Sequence, residues 1–115
     1  MAARILLTED DEDVRELLQD VLTDAGYEVD PTDTVAGALT RLGANTYDLV
    51  LTDGRLPDGN GLTVAAKAKE LGLRPILFTG FASDYPPEEL AKYTVLRKPM
   101  PMDDLVEVVA RALQG

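Results

Sequence analysis

Three carboxylates, one hydroxyl and one ammonium follow short apolar runs of the sequence, and these groups are suited to phosphate chemistry on a bound metal ion. They belong to Glu9, Asp10, Asp53, Thr79 and Lys98. Two carboxylates about 4 Å apart repel each other by roughly 4 kcal/mol at an effective dielectric constant of about 20. A cluster of carboxylates is therefore stable only with positive charge beside it. Lys98 supplies one charge, and Mg²⁺ supplies two while keeping water ligands that a phosphate oxygen can displace.

Histidine and cysteine are both absent from the 115 residues. A Ser-His-Asp triad, a His-ligated zinc site and a thiolate metal site are therefore excluded, and no phosphohistidine can form within the chain. The formal net charge of −10 argues against a nucleic-acid partner, because that binding depends on neutralising phosphates. Any chemistry must rest on carboxylates, cationic side chains and a metal.

The sequence shows no sign of a membrane or secreted protein. No apolar run approaches the roughly 20 residues that a membrane span requires. The first residues, MAARILLTEDD, lack the apolar segment and cleavage site of a signal peptide. We therefore expect a cytoplasmic protein without membrane contact. The length fits one domain, residues 1–115, and the hydrophobic fraction of 45% is sufficient for a core.

Short apolar runs alternate along the chain with segments of helical periodicity. The predicted strands are residues 5–7, 27–30, 48–52, 76–78 and 95–96, and the predicted helices are residues 14–25, 35–42, 62–71, 86–93 and 105–112. Residues 54–61, GRLPDGNG, are predicted as a loop because glycine and proline are dense there. Apolar strands joined by helices indicate an α/β fold, a doubly wound parallel (βα)5 sheet of flavodoxin-like order 2-1-3-4-5.

The functional crevice of such a sheet lies beyond the carboxyl ends of its strands. The residues that follow the predicted strands are Glu9 and Asp10 (first), Asp53 (third), Thr79 (fourth) and Lys98 (fifth). We therefore expect these side chains at one edge of the sheet. The acids at positions 11–13 are interpreted differently. They open the first helix, where acidic side chains cap free N–H groups and interact favourably with the helix dipole.

These residues resemble the motifs of receiver domains of two-component response regulators, the CheY-like superfamily. The matching segments are ILLTEDD, DLVLTDGRLPDGNG, the Thr79-Gly80 step and the Lys98-Pro99 pair. They fit the family pattern in order and spacing over essentially the whole chain. The run ILFTGFAS is similar both to single-domain receivers of the CpdR type and to the receivers of hybrid histidine kinases. The sequence leaves these two alternatives open.

The resemblance implies a role for each acidic residue of the site. Asp53 would be the phosphoacceptor, which attacks phosphorus to form an aspartyl phosphate. The ligands of Mg²⁺ would be Glu9, Asp10, Asp53 and the backbone carbonyl of Arg55, and Mn²⁺ would be a substitute for Mg²⁺. Such a site acts by positioning and by neutralising charge, as phosphoryl transfer generally requires.

The resemblance also implies roles for the lysine and the threonine. Lys98 would pair with Asp53 at rest and with a phosphoryl oxygen after the transfer. Thr79 would donate its hydroxyl to another phosphoryl oxygen. The peptide bond between Lys98 and Pro99 would be cis, an isomer that proline makes accessible.

The partners that the resemblance implies are proteins of a phosphorelay. A histidine kinase or a histidine phosphotransfer protein would deliver the phosphoryl group to Asp53. The added charge would then switch a surface that a downstream protein of unknown identity reads. The chain would promote its own phosphorylation and slow dephosphorylation rather than act as an enzyme on other substrates. We expect a monomer or a weak dimer.

Four positions depart from the common family pattern. Glu9 stands where aspartate is commoner. Val95 stands where the family often has an aromatic residue that swings inward when the switch threonine engages phosphate, and Tyr93 and Phe81 are candidate replacements. Arg55 and Phe81 occupy positions that flank the attacking water during dephosphorylation. This gives the hypothesis that the pair alters the lifetime of the phosphoryl group.

Other function classes fit the residues less well. A degenerate receiver that serves only as a protein-binding scaffold would not need to retain all five polar residues of the site. A Mg²⁺-dependent phosphatase with Asp53 as nucleophile would need an aspartate two residues later, where Arg55 stands. A calcium loop is excluded because GRLPDGNG lacks the alternating oxygen ligands. A dinucleotide fold is a poor match because no G-x-G-x-x-G follows the first strand.

Overall fold

The structure is a computed structural model that describes residues 2–81, 83 and 85–114. Within these ranges the strands are β1 (Arg4–Thr8), β2 (Glu28–Thr32), β3 (Leu49–Thr52), β4 (Arg55–Leu56), β5 (Gly59–Asn60), β6 (Arg74–Thr79) and β7 (Thr94–Arg97). The helices are α1 (Glu12–Asp24), α2 (Val35–Ala44), α3 (Gly61–Glu70), α4 (Pro87–Leu90) and α5 (Met102–Gln114). Strands and helices alternate along the chain, as predicted.

Five parallel strands of the described chain form the main sheet, in the order β2-β1-β3-β6-β7. This is the predicted order 2-1-3-4-5, because β4 and β5 pair only with each other. The α/β, flavodoxin-like fold class is thus confirmed. The register aligns Thr8 with Thr52 and Thr79 with Arg97. The residues that follow these strands therefore leave the sheet at the same edge.

Each face of the main sheet is covered by two helices. One face packs against α1 and α5, and its core consists of Ile5, Leu7, Leu18, Leu22, Leu49, Leu51, Ile76, Phe78, Leu96, Leu105 and Val109. The other face packs against α2 and α3, and its core consists of Leu6, Val35, Ala38, Leu42, Tyr47, Val50, Leu56, Val64 and Ala68. Apolar burial contributes roughly 25 cal/mol per Å², and here it fixes the strands whose ends carry the polar residues.

Side chains at the helix starts satisfy backbone N–H groups that have no partner within the helix. Asp11 accepts a hydrogen bond from the N–H of Val14 at 3.1 Å, as expected for the acids that open α1. Thr34 accepts one from the N–H of Gly37 at 2.9 Å, at the start of α2. Gly26 follows α1 with a φ of 99°, a conformation that glycine adopts without strain. Local sequence therefore determines where these helices begin and end.

The loop predicted at residues 54–61 contains a short antiparallel hairpin of β4 and β5. Asp58 anchors it, since its Oδ1 and Oδ2 accept hydrogen bonds from the N–H groups of Val35 and Ala36 at 2.8 and 3.0 Å. The N–H groups of Ala36 and Val35 lower the pKa of the Asp58 carboxyl, because they stabilise its charged form. The two partners of this contact are more than twenty positions apart in the sequence, so the composition of the turn alone does not predict it.

α4 is a single turn and is shorter than the helix predicted over residues 86–93. It spans Pro87–Leu90, and none of its four residues is buried. Its first turn has no side-chain cap hydrogen bond. Short helices depend on burial of an apolar face, so this segment ends early for lack of one. No helix in the described ranges is long and apolar enough to cross a membrane.

Candidate functional site

Three acidic side chains converge where β1 and β3 end. Glu9 and Asp10 follow β1, Asp53 follows β3, and one carboxylate oxygen from each lies within 4.8 Å of the others. Glu9 is 1% exposed and Asp53 is 9% exposed, whereas Asp10 lies at the surface. The structure thus brings together the acids that the sequence singled out. Their oxygen atoms are ligands of the kind that Mg²⁺ prefers.

The ammonium of Lys98 lies beside two of these carboxylates. Its Nζ donates a hydrogen bond to Glu9 Oε1 at 2.7 Å and is 3.4 Å from Asp53 Oδ2. The ring of Phe78 also faces it, with the centroid 5.2 Å from Nζ. The Lys98-Pro99 peptide bond is cis. The lysine therefore points into the site, and it lies closer to Glu9 than to Asp53, its expected partner.

Glu9 has an unsatisfied carboxylate oxygen. Its Oε2 is buried and has no hydrogen-bond partner among the described residues. The pKa of Glu9 is raised to about 8, because the side chain is buried and Asp53 lies beside it, and Lys98 opposes this shift. A buried carboxylate is destabilised when one of its oxygens has neither a hydrogen-bond donor nor a positive charge beside it. A bound dication would supply this charge, so the orphaned oxygen fits a Mg²⁺ site at this position.

Thr79 is fully buried at the end of β6. Its Oγ1 accepts a hydrogen bond from the N–H of Phe81 at 3.0 Å, which leaves the hydroxyl hydrogen available for donation. A Cβ built on Gly54, the residue after Asp53, would lie 2.8 Å from this oxygen. The threonine hydroxyl therefore lies beside the turn that follows Asp53.

The loop after β3 folds back too closely for a side chain at Gly61. A Cβ at this position would lie only 1.9 Å from the carbonyl oxygen of Asp53. The N–H of Gly61 also donates a hydrogen bond to the carbonyl oxygen of Gly54 at 2.8 Å. The sequence identifies these glycines only as loop residues, because the close approach depends on how the whole loop is folded.

Arg55 and Phe81 are in direct contact at the surface of the site. The Arg55 guanidinium carbon lies 3.7 Å from the centroid of the Phe81 ring, a cation–π arrangement. Phe81 is 46% exposed. The N–H of Arg55 is 3.4 Å from Asp53 Oδ1, a long hydrogen bond. The two positions that the family resemblance placed beside the attacking water therefore form one side of the site.

Tyr85 is a residue of the site that the sequence does not single out. It is 9% exposed, and its hydroxyl donates a hydrogen bond to the carbonyl oxygen of Gly54, 31 positions earlier in the chain. Tyr93, one of the expected aromatic replacements, instead lies against Lys69, whose Nζ is 5.6 Å from the ring centroid. Val95 is half-buried in β7. No local pattern marks Tyr85, because its contact depends on the path of the chain after β6.

The family model described as the response regulator receiver domain matches residues 5–110 of the chain. This chain belongs to that family. The resemblance drawn from the sequence motifs is thereby confirmed, and so is the assignment to two-component signalling, in which phosphorelay is the general role of receiver domains. The matched range includes every residue described at the site.

Curated relatives agree with this assignment. The receiver domain is 40% identical to the response regulator receiver protein CpdR of Brucella abortus, over 96% of this chain and 96% of that protein. It is 32% identical to the DNA-binding transcriptional regulator NtrC of a Bradyrhizobium species over 97% of this chain. There it spans only 24% of the relative's length. The chain therefore corresponds to nearly all of CpdR and to about a quarter of NtrC.

Solved structures of receiver domains superpose closely on this one. A CheY-like receiver domain protein from Methanospirillum hungatei gives a TM-score of 0.89 at 29% identity, covering 99% of this chain and 95% of that one. The response regulator TrrA from Thermotoga maritima, described as a complex with Mg²⁺ and BeF, gives a TM-score of 0.87 at 30% sequence identity. It covers 97% of this chain and 99% of that one. These structures confirm the CheY-like fold of the chain.

Proposed function

We propose that this receiver domain accepts a phosphoryl group on Asp53 from the phosphohistidine of a partner protein, in a reaction that depends on Mg²⁺. The observation that carries the proposal is the cluster of Glu9, Asp10 and Asp53, whose oxygens lie within 4.8 Å of one another beside the Lys98 ammonium. Such a cluster is costly in isolation and becomes favourable around a dication, which can also bind the oxygens of a phosphoryl group.

The residues of the site have distinct roles in this reaction. Held by Glu9, Asp10, Asp53 and the Arg55 carbonyl, Mg²⁺ would neutralise charge on the phosphoryl oxygens. A carboxylate oxygen of Asp53 forms the bond to phosphorus while the phosphorus–nitrogen bond of the phosphohistidine breaks. The electron pair of that bond remains on the imidazole nitrogen of the partner. Atoms and charge are thereby conserved between an acyl phosphate and a free histidine.

The lysine and the threonine stabilise the product. The Lys98 ammonium, 3.4 Å from Asp53 Oδ2 at rest, binds a phosphoryl oxygen after the transfer. Thr79 donates its hydroxyl hydrogen to a second phosphoryl oxygen while its Oγ1 still accepts the Phe81 N–H. Both contacts are made to charge that is absent before the transfer, so they favour the phosphorylated state.

The biological setting follows from this chemistry. The donor is a histidine kinase or a histidine phosphotransfer protein, and the phosphorylated domain changes a surface that a downstream protein binds. We place the domain, residues 1–115, in the cytoplasm as a monomer or weak dimer that promotes its own phosphorylation and slow dephosphorylation. Mn²⁺ would substitute for Mg²⁺, because it also accepts carboxylate, carbonyl and water oxygens.

Incubation with acetyl phosphate and Mg²⁺, followed by intact-mass measurement, tests this function. We expect a gain of about 80 Da, one phosphoryl group on one aspartate. The gain is expected to disappear in Asp53→Asn, in EDTA, and after treatment with hydroxylamine, which cleaves acyl phosphates. Asp33→Asn is a matched control with an exposed aspartate outside the site. Absence of any gain in the wild-type protein would contradict the proposal and favour a scaffold function.

The contact between Arg55 and Phe81 predicts an effect on the lifetime of the aspartyl phosphate. In Phe81→Ala the guanidinium loses the ring 3.7 Å away, and the phosphoryl group becomes more accessible to water. Because an exposed cation–π contact contributes about 0.5–1 kcal/mol, we expect decay to accelerate by about two- to fivefold. The decay rate after removal of acetyl phosphate measures this. Leu71→Ala is the control, since Leu71 is also 46% exposed but lies at the end of α3. An unchanged decay rate in Phe81→Ala would refute the hypothesis.

A further inference from the structure

A buried hydroxyl joins the two loops that border the site. Tyr85 lies between β6 and α4, and its hydroxyl donates a hydrogen bond to the carbonyl oxygen of Gly54. The same oxygen accepts a hydrogen bond from the N–H of Gly61 at 2.8 Å. A carbonyl oxygen has two lone pairs, and both are used here. The peptide between Gly54 and Arg55 is therefore oriented from two sides.

The other end of this peptide faces the phosphoacceptor. Its N–H, which belongs to Arg55, lies 3.4 Å from Oδ1 of Asp53. The carbonyl that follows in the chain is the proposed backbone ligand of Mg²⁺. A rotation of the peptide between Gly54 and Arg55 would therefore displace a donor to Asp53, directly before the residue whose carbonyl is the proposed metal ligand.

The tyrosine also lies close to the threonine of the site. A Cβ at Gly54 would lie 2.6 Å from the Tyr85 hydroxyl oxygen and 2.8 Å from Thr79 Oγ1. The two hydroxyls therefore approach the same glycine. A movement of Thr79 toward a phosphoryl group changes the surroundings of Tyr85, and Tyr85 is two residues from the start of α4.

We propose that Tyr85 is a positioning residue of the phosphoacceptor site, which holds the Gly54-Arg55 peptide through its hydroxyl and links the site to α4. The inference rests on the proposed function, because it assigns the peptide a role in binding Mg²⁺ and in transfer to Asp53. The Tyr85 hydroxyl acts on the site through this peptide, whose N–H at Arg55 faces Oδ1 of Asp53.

Tyr85→Phe removes the hydroxyl and keeps the ring. We expect Mg²⁺ affinity, measured by titration of amide NMR shifts with Mg²⁺ alone, to fall by about tenfold, the lower end of the loss caused by removing a partner that orients a ligand. The initial rate of phosphorylation by acetyl phosphate at fixed Mg²⁺ saturation is expected to fall severalfold. In the wild-type protein, the amides of Glu88, Glu89 and Leu90 in α4 should shift during the Mg²⁺ titration, and in Tyr85→Phe this response should be lost.

Tyr47→Phe is the matched control. Tyr47 is also buried, and its hydroxyl also donates to an oxygen, Oδ2 of Asp30, but on the α2 side of the sheet. Both variants should lose stability to a similar degree in thermal denaturation, while only Tyr85→Phe should change Mg²⁺ affinity and the response at α4. A merely structural role for Tyr85 would make the two variants behave alike.

The outcomes separate this inference from the proposed function. If the wild-type protein gains phosphoryl mass and Tyr85→Phe binds Mg²⁺ and reacts as the wild type does, the inference is wrong and the function stands. If the wild type gains no mass but Tyr85→Phe still weakens Mg²⁺ binding, the function is wrong and the positioning role stands. If neither protein binds Mg²⁺, both are wrong.

Discussion

Replacing Lys98 by methionine is expected to slow phosphorylation of Asp53 by acetyl phosphate at least about 100-fold, the usual cost of removing one preorganised group that stabilises transition-state charge. The Lys98 ammonium is 2.7 Å from Glu9 Oε1 and 3.4 Å from Asp53 Oδ2. In the proposed reaction it is thus already placed where charge would develop on the transferred group. Methionine has a similar length and fills the same space without a charge. The initial rate of mass gain, measured at saturating Mg²⁺, gives the effect.

A parallel Mg²⁺ titration shows which step is lost in Lys98→Met. Affinity for Mg²⁺ is expected to stay equal or to increase, because a competing positive charge has been removed from the carboxylates. A slow variant that also fails to bind Mg²⁺ would assign Lys98 to metal binding rather than to transfer. Lys92→Met is the control, since Lys92 is exposed and pairs with Glu89 at 3.2 Å, away from the site. It should react at the wild-type rate.

Glu9→Gln is expected to stabilise the metal-free domain at alkaline pH. Burial and the neighbouring Asp53 raise the pKa of Glu9 from 4.5 to about 8 against the effect of Lys98, so the folded state keeps a proton that the unfolded state has lost. The contribution of Glu9 to the free energy of unfolding therefore falls as pH rises from about 4.5 to about 8. Above that range this contribution no longer changes with pH. The whole shift corresponds to roughly 5 kcal/mol at 1.36 kcal/mol per pH unit. Because water entry into the site reduces this value, we expect a gain of about 1–3 kcal/mol.

Denaturation by urea in EDTA at pH 5 and at pH 9 measures this effect. The wild type should be less stable relative to Glu9→Gln at pH 9 than at pH 5. Mg²⁺ at pH 9 should stabilise the wild type strongly and Glu9→Gln weakly, because the amide is a poorer ligand than the carboxylate. Glu16→Gln, an exposed acid on α1, is the control and should show neither difference. A Glu9→Gln profile parallel to that of the wild type across this range would contradict the assigned environment of Glu9.

The sequence predicts the parts of this site that depend on strand ends. Apolar runs place Glu9, Asp53 and Thr79 just past three strands, and a parallel sheet brings such residues to one edge. Lys98 is predicted there for the same reason. The order and spacing of residues do not predict that Lys98 lies closer to Glu9 than to Asp53. The two distances from its Nζ, 2.7 Å and 3.4 Å, differ by less than 1 Å and depend on how the side chains pack.

Contacts between loops explain what the sequence does not reveal. In the sequence, Asp58 is only one residue of a segment rich in glycine and proline. In the structure, its carboxylate accepts hydrogen bonds from the N–H groups at the start of α2. Tyr85 appears as an ordinary aromatic residue, yet its hydroxyl is fixed on Gly54. Each pairing depends on the path of two loops in three dimensions, and neither leaves a periodic pattern in the residues themselves.

The single turn of α4 has a consequence for how a signal would leave this domain. Because none of its four residues is buried, little apolar surface opposes its local unfolding, and such segments lie at the low end of the range of opening free energies. A small change in contact energy at its start would then produce a large change in how often it is folded. On this basis the output of the proposed switch would be a shift in the occupancy of an ordered turn, on the timescale of about microseconds to seconds that local unfolding has, rather than the rotation of a rigid helix.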